Sequence, residues 1–240
     1  GVIACRCPVW SITREDGKGV GEITMRTQKA LQKAKKKGLL LQRVQLFHMA
    51  GIFIVLDGPD ATGTSTHAGF LAEKLRSEGH EVLLTAEPTD GPVGKQIREF
   101  LASGTADPME LQLLFTSDRA WHVENVLEPA LAKGKVIVCD RYSHSTLIYA
   151  EAQGLDVSKL AELNGKFPKP DRVIFTLPPI TVCLERLARR VKKEFFENAE
   201  FQEKIHRGYA AAAAHDPSIC VVDTSGKKED SAAEILEIVR

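Results

Sequence analysis

Residues 58–66 form a glycine-rich segment between an apolar run and a stretch with helical spacing of apolar residues. Gly58, Gly63 and Ser65 match three positions of the pattern G-x-x-x-x-G-K-[ST]. Backbone amides of such a loop, together with a helix N-terminus, bind phosphate oxygens, and the serine hydroxyl reaches Mg²⁺. We therefore predict that this segment, called the phosphate loop below, binds a nucleotide through Gly58, Pro59, Asp60, Ala61, Thr62, Gly63, Thr64, Ser65 and Thr66.

Thr64 stands where the pattern has a lysine. That lysine is a point charge on the phosphates. The loss of a single such group costs about 3–4 kcal/mol of transition-state stabilisation in other enzymes. A glycine-rich corner without a ligand is the alternative interpretation, but the apolar run before it and the helix after it favour phosphate binding.

Charged residues also follow two other apolar runs. Asp140 and Arg141 come directly after residues 135–139, and Glu87 comes shortly after residues 81–85. Arg141 suits a bidentate contact with a phosphate, and Asp140 suits Mg²⁺, bound directly or through water. A carboxylate at Glu87 suits a position near a sugar 3′-hydroxyl or the metal. The alternatives are a structural ion pair between Asp140 and Arg141 and a solvated loop position for Glu87.

Two pairs of residues have the spacing of one helix face. Phe115 and Arg119 are four residues apart, as are Ser145 and Tyr149. An aromatic ring can stack on a base while a guanidinium beside it donates hydrogen bonds to that base. The alternatives are a core position for Phe115 and an exposed position for Arg119, or its pairing near Asp118.

An arginine cluster near residues 186–190 precedes a polar stretch. Arginines on a mobile lid neutralise a phosphoryl group during transfer, although a solvated cluster is the alternative. We expect the charge missing at position 64 to come from this region. The candidates are Arg186, Arg189, Arg190, Lys192 and Lys193, with Lys95 as a further one.

Short apolar runs alternate with helical patterns after residue 50, which predicts βαβ units and a parallel sheet. The predicted strands are 51–57, 81–85, 135–139, 173–176 and 219–222. The predicted helices include 67–78, 93–101, 111–127, 181–190, 199–214 and 231–240. We therefore expect an α/β fold whose ligands bind at the carboxyl ends of the strands.

The chain from residue 51 to residue 240 resembles the thymidylate kinase family of P-loop nucleoside monophosphate kinases. The resemblance rests on FIVLDGPDATGTST, LLTAEPTDGPVGKQIREFL, LLFTSDRAWHVENVLEPALAKGKVIVCDRYSHST and ERLARR, in that order. It implies a three-layer α/β/α fold around a central five-stranded parallel sheet. It also implies a kinase that uses ATP and Mg²⁺ to convert dTMP to dTDP, and a homodimer.

The resemblance also implies roles for individual residues. Catalytic residues would be Asp60, Glu87, Arg141, Arg186, Arg189 and Arg190, and metal ligands Ser65 and Asp140. The dTMP site would comprise Phe115, Arg119, Arg141, Ser145, Thr146 and Tyr149.

Four positions depart from the family's usual residues: Thr64, Ala86, Ala150 and Leu177. The substitutions at 86 and 150 leave another acceptor open, such as dUMP, dCMP or UMP. Thr64 leaves open a nucleotide-binding homologue with impaired catalysis.

Basic and acidic residues number 32 each, but the balance is uneven along the chain. Residues 1–48 carry a net charge of +7 and residues 49–240 one of −7, which argues against nucleic-acid binding by the latter. We expect 1–48 to be a disordered extension, or sequence upstream of a start at Met49. An organelle transit peptide or a nucleic-acid-binding arm is the alternative for this basic segment. We expect 49–240 to be one domain with a lid near 186–197. No apolar run is long enough for a membrane span, and five scattered cysteines suit a reducing cytosol.

Overall fold

The protein is described from a computed structural model, and the description comprises residues 51–103, 107–189 and 198–240. The expected extension at 1–48 lies outside these residues. So do Arg190, Lys192 and Lys193, which belong to the expected lid.

Five parallel strands form a single sheet in the order β2-β3-β1-β4-β5. Their bounds are β1 (Ile52–Asp57), β2 (Val82–Ala86), β3 (Val136–Asp140), β4 (Arg172–Thr176) and β5 (Ile219–Val222). The central strand β1 is almost wholly buried because helices cover both faces of the sheet, as its continuous apolar sequence predicts. The predicted five-stranded parallel sheet is therefore confirmed.

Nine α-helices surround the sheet within the described residues. They are α1 (Thr64–Ser77), α2 (Pro92–Ser103), α3 (Pro108–His122), α4 (Glu128–Ala132), α5 (Ser143–Ala152), α6 (Ser158–Asn164), α7 (Ile180–Ala188), α8 (Ala199–His215) and α9 (Lys228–Val239). None of the described helices is long and apolar enough to cross a membrane.

Separate apolar clusters cover different parts of the sheet. Leu71 of α1 and Ile235 of α9 pack in one cluster with side chains of β1, β3, β4 and β5. Val123 and Leu127 pack in a second cluster with the alternate residues of β1 and β3. Since successive strand residues point to opposite faces, these clusters give the expected three layers.

Some predicted helix bounds were wrong. The helix predicted at 111–127 begins at Pro108, where the Asp107 side chain accepts a hydrogen bond from the Glu110 amide at 3.0 Å. It passes through a π-helical segment, Val123–Leu127, into α4. Pro129 directly follows this π-helical segment, where the Glu128 amide bonds to the Val123 carbonyl five residues back, and it does not end the helical run. Helix α1 begins at Thr64 rather than at residue 67, and α6 was not predicted.

Cys139 and Cys183 are buried free thiols and Cys220 is buried as well, as their apolar surroundings predict. The other two cysteines lie outside the described residues.

Candidate active site

The phosphate loop connects β1 to α1 and has two residues in the left-handed region, Ala61 (φ 63°) and Gly63 (φ 90°). The loop packs closely on the end of β4, because a Cβ on Gly58 would lie 2.5 Å from the carbonyl oxygen of Thr176. It lines an open cavity of about 890 Å³, called the phosphate-loop cavity. Eight of the nine residues predicted to bind a nucleotide, Pro59 to Thr66, line this cavity, and the ninth, Gly58, packs against Thr176.

The side chain of Thr64, which stands at the lysine position of the pattern, points into the protein. Its Oγ1 lies 3.1 Å from the Oγ1 atoms of both Thr62 and Thr176, which are 2.8 Å from each other. The Thr62 hydroxyl donates to the carbonyl oxygen of Pro59, so the Thr64 proton is used within this threonine cluster of Thr62, Thr64 and Thr176. Thr224 secures the same loop by donating to the Thr62 carbonyl at 2.7 Å. The Thr64 hydroxyl therefore stabilises the loop and does not replace the lysine charge.

Two arginines bring positive charge to the phosphate-loop cavity: Arg141 and Arg186. Arg186 donates to the carbonyl oxygens of Ala61 at 3.3 Å and Thr224 at 2.6 Å. Arg189, in contrast, is exposed at the end of α7 and does not line this cavity. Of the lid arginines within the described residues, only Arg186 therefore contacts the loop.

Arg141 has a left-handed backbone (φ 70°), which is rare for a residue with a side chain and common at functional sites. Its Nη1 donates to the Gly58 carbonyl at 2.9 Å and to the Ser145 hydroxyl at 3.1 Å, and its Nη2 donates to Asp60 at 2.7 Å. A guanidinium has five N–H donors, so the Nε–H and one Nη2–H have no partner among the described residues. These two donors are available for an anion.

Asp57, at the end of β1, contacts residues of the candidate site and was not predicted from the sequence. It is fully buried, and its Oδ1 accepts hydrogen bonds from Ser145 Oγ at 2.6 Å and from the Tyr209 hydroxyl at 2.7 Å. Gln202 similarly donates to Asp60 Oδ2 at 2.7 Å. An acidic residue that ends a buried strand was a usable signal for Asp57. Gln202 and Tyr209 lie on the distant helix α8, and no motif marks them.

Ser65 and Asp140 meet at the edge of the phosphate-loop cavity, where the Ser65 hydroxyl donates to Asp140 Oδ2. Asp140 Oδ1 is buried and has no hydrogen-bond partner within the described residues. Burial raises the pKa of the Asp140 carboxyl, while Arg141 and Ser65 partly oppose this rise. The Arg141 guanidinium bonds to Asp60 rather than to Asp140, so the alternative of a structural Asp140–Arg141 pair is wrong. A hydroxyl beside a carboxylate with an unpaired oxygen fits a hard cation such as Mg²⁺.

A second cavity, of about 630 Å³, lies between α3 and α5 and is called the α3–α5 cavity. Its lining includes all six residues predicted for the dTMP site: Phe115, Arg119, Arg141, Ser145, Thr146 and Tyr149. It shares Asp60 and Arg141 with the phosphate-loop cavity, so the two cavities meet at these residues.

Arg119 is only 1% exposed and lies at the centre of a buried polar network. Its Nε and Nη2 donate to Glu87 Oε2 at 2.9 and 2.7 Å, and His122 Nδ1 lies 3.0 Å from Glu87 Oε1. It also donates to Thr146 Oγ1 at 3.1 Å and to the side-chain oxygen of Asn164. The alternatives of an exposed Arg119, its pairing near Asp118 and a solvated Glu87 are therefore wrong. One N–H of Arg119 has no partner among the described residues, and Glu87 holds the guanidinium in place.

Comparison with known proteins gives one consistent result. Residues 56–235 match the family model described as thymidylate kinase. The "Probable thymidylate kinase" of Pyrococcus horikoshii is 40% identical over 199 residues, which cover 80% of this chain and 97% of that protein. The "Thymidylate kinase" of Synechococcus sp. strain JA-2-3B'a(2-13) is 37% identical over 195 residues, covering 78% and 94%. That of Ectopseudomonas mendocina is 38% identical over 180 residues, covering 70% and 85%.

Proposed function

Because the chain belongs to the thymidylate kinase family, whose members are ATP-dependent kinases that convert dTMP to dTDP, we propose that it transfers the γ-phosphate of ATP to dTMP. The products would be dTDP and ADP. The observation that carries this proposal is that the phosphate-loop cavity and the α3–α5 cavity meet at Asp60 and Arg141. A donor nucleotide in one cavity and a monophosphate in the other would bring their phosphates to that meeting point.

Phosphoryl transfer depends mainly on positioning and on charge neutralisation. The phosphate-loop amides would bind the donor phosphates, and Arg186 would add a fixed charge beside them. The two unpaired N–H donors of Arg141 match a bidentate contact with the acceptor phosphate. Phe115 would stack on the base, while the remaining N–H of Arg119 would donate to a base carbonyl.

Ser65 and Asp140 would hold Mg²⁺, since Asp140 Oδ1 is a buried oxygen that needs a partner. When bound, Mg²⁺ would neutralise charge on the transferred phosphoryl group. Glu87 contributes to the reaction in this proposal by fixing Arg119, which is a positioning role rather than direct contact with metal or sugar. Arg189, together with Arg190, Lys192 and Lys193 outside the described residues, stays a prediction for the lid.

Three further proposals concern the protein's setting. Buried free thiols at Cys139 and Cys183 support a reducing, cytoplasmic location. A homodimer is proposed from the family resemblance and is tested by light scattering in solution.

Residues 1–48 are proposed to be dispensable, so a chain that begins at Met49 would keep its activity.

A coupled ADP-release assay with dTMP, dUMP, dCMP, UMP and dGMP tests the proposed function. We expect the highest kcat/KM with dTMP. A higher value with another acceptor would assign the chain to that nucleotide instead. The inward position of Thr64 favours a second candidate, a homologue that binds nucleotides without catalysis. Measurable ATP binding without turnover of any acceptor would support that candidate and contradict the kinase proposal.

A further inference from the structure

Gln112 is a buried polar residue whose role the motifs do not indicate. It lies on α3 one turn before Phe115, is 1% exposed and lines the α3–α5 cavity. Its Oε1 has no hydrogen-bond partner within the described residues. An unpaired buried carbonyl is costly, so an acceptor that lines a ligand cavity suggests that the ligand supplies the donor.

The other half of the Gln112 amide is already engaged. Its Nε2 donates to Gln153 Oε1 at 2.9 Å. Gln153 ends α5, and its backbone amide bonds to the carbonyl oxygens of Tyr149 and Ala150 at 3.1 Å. Because Nε2 donates to Gln153, the atom of the Gln112 amide that can still accept a hydrogen bond from a ligand is its carbonyl oxygen, Oε1.

Two neighbouring polar groups of the cavity are donors, whereas the carboxylates that also line it, Glu87 and Asp60, are already paired with protein groups. Arg119 has one unpaired N–H, and the Thr146 hydroxyl accepts from Arg119 while its own proton has no acceptor in the described part of the chain. Thymine presents two carbonyl acceptors and one donor, the N3–H. Two protein donors with one acceptor therefore complement thymine. Cytosine has a lone pair at N3, so a carbonyl oxygen would repel it there.

We propose that Gln112 is a specificity-determining residue, whose Oε1 accepts a hydrogen bond from the N3–H of the acceptor base, directly or through one ordered water. Gln153 keeps the amide in the orientation that rejects cytosine. This inference rests on the proposed function, because it requires a pyrimidine monophosphate in the α3–α5 cavity.

The test compares kcat/KM for dTMP and dCMP in the wild type and in two variants. Gln112→Met conserves the side-chain volume but removes the acceptor, and we expect the dTMP-to-dCMP ratio to fall about tenfold or more. Gln153→Leu leaves the Gln112 amide free to rotate, and we expect the ratio to fall through a rise in dCMP turnover. Ser117→Ala, on the exposed side of α3, is the matched control and leaves the ratio unchanged.

The outcomes separate the inference from the proposed function. A wild type that turns over none of the monophosphates overturns both. A wild type that prefers dTMP, with the same ratio in folded Gln112→Met or in Gln153→Leu, overturns the inference alone. Thermal unfolding of each variant shows that it is folded, and the Gln153 variant decides the matter if Gln112→Met does not fold.

Discussion

At the scale of single residues, we propose that Arg186 of α7 supplies the charge that the phosphate loop lacks at position 64. Arg186 is fixed to the loop and to the segment after β5 by two hydrogen bonds to carbonyl oxygens. Those bonds leave its positive charge beside the phosphate-loop cavity while the hydroxyl of Thr64 faces inward. A lysine on the loop and an arginine reaching it from a helix are therefore alternative ways to place one cation.

We expect Arg186→Met to lower kcat/KM for ATP by about 100-fold, as the loss of one fixed donor does elsewhere. Arg186→Lys keeps the charge and should lose less. Steady-state kinetics at saturating dTMP measure both. The matched control is Arg207→Met, an exposed arginine on α8, which should behave as wild type. Equal activity of Arg186→Met and wild type would contradict the assigned role.

Thr64→Val should affect stability more than chemistry, because the hydroxyl it removes bonds only within the threonine cluster. We expect the free energy of unfolding to fall by about 1–2 kcal/mol, since polar partners in the cluster lose a hydrogen bond. Thr64→Ser keeps the hydroxyl and should stay close to wild type. Urea denaturation measures the change, and kcat should stay within about threefold. A large loss of kcat at unchanged stability would show instead that the hydroxyl acts on the phosphates.

At the scale of elements, α2 packs closely against the loop that follows β2. A Cβ on Gly94 of α2 would lie 1.9 Å from the carbonyl oxygen of Thr89. Thr89 is itself fixed to Asp118 of α3 by its amide at 2.7 Å and its hydroxyl at 2.6 Å. A Cβ at position 94 would therefore have to displace a loop that these hydrogen bonds hold in place.

Gly94→Ala should therefore lower the free energy of unfolding by about 3 kcal/mol, the upper range for overpacking in a well-packed core. The matched control is Gly69→Ala in α1, where an added Cβ meets no atom within 4 Å. There the better helix propensity of alanine should raise stability by about 0.5–1 kcal/mol. Chemical denaturation of both variants tests the contrast, and equal effects would show that α2 has room to adjust.

The elements also show what sequence reasoning can and cannot reach. Continuous apolar runs predicted all five strands, and the spacing of Phe115 and Arg119 placed both in one cavity, because these signals are local. The pairing of Arg119 with Glu87 could not be predicted, since it joins residues 32 positions apart through the packing of α3 on the β2 loop. Gln202, on α8, likewise reaches Asp60 across 142 positions. Such contacts depend on the assembled layers and leave no periodic pattern.

At the scale of the whole molecule, the stability of the fold should depend on pH through His144 of α5. Burial lowers the pKa of His144, although the nearby Asp57 partly opposes this. Its Nδ1 has no hydrogen-bond partner among the described residues, and its ring lies 5.3 Å from that of Phe175. At pH values below the ordinary histidine pKa of about 6.5, His144 therefore binds a proton more readily in the unfolded chain than in the folded protein.

We expect the free energy of unfolding to fall as the pH drops from 7 to 5, and to fall less steeply in His144→Gln. Urea denaturation at several pH values measures the slope for each protein. His215→Gln, at the exposed end of α8, is the control and should keep the wild-type slope. Parallel pH curves for wild type and His144→Gln would show that His144 does not contribute.

The strand order has a consequence for how the protein is made. The ribosome releases β1 first, yet β1 is the centre of the sheet and pairs with β3, from Ile52 with Val136, and with β4, from Ile54 with Arg172. Strand β2, released next, is not its neighbour. The apolar strand β1 therefore has no partner strand until β3 and β4 have been synthesised, which is after more than half of the chain. Such distant pairings slow folding and expose nascent chains to aggregation, so protection by chaperones matters most before β4 emerges.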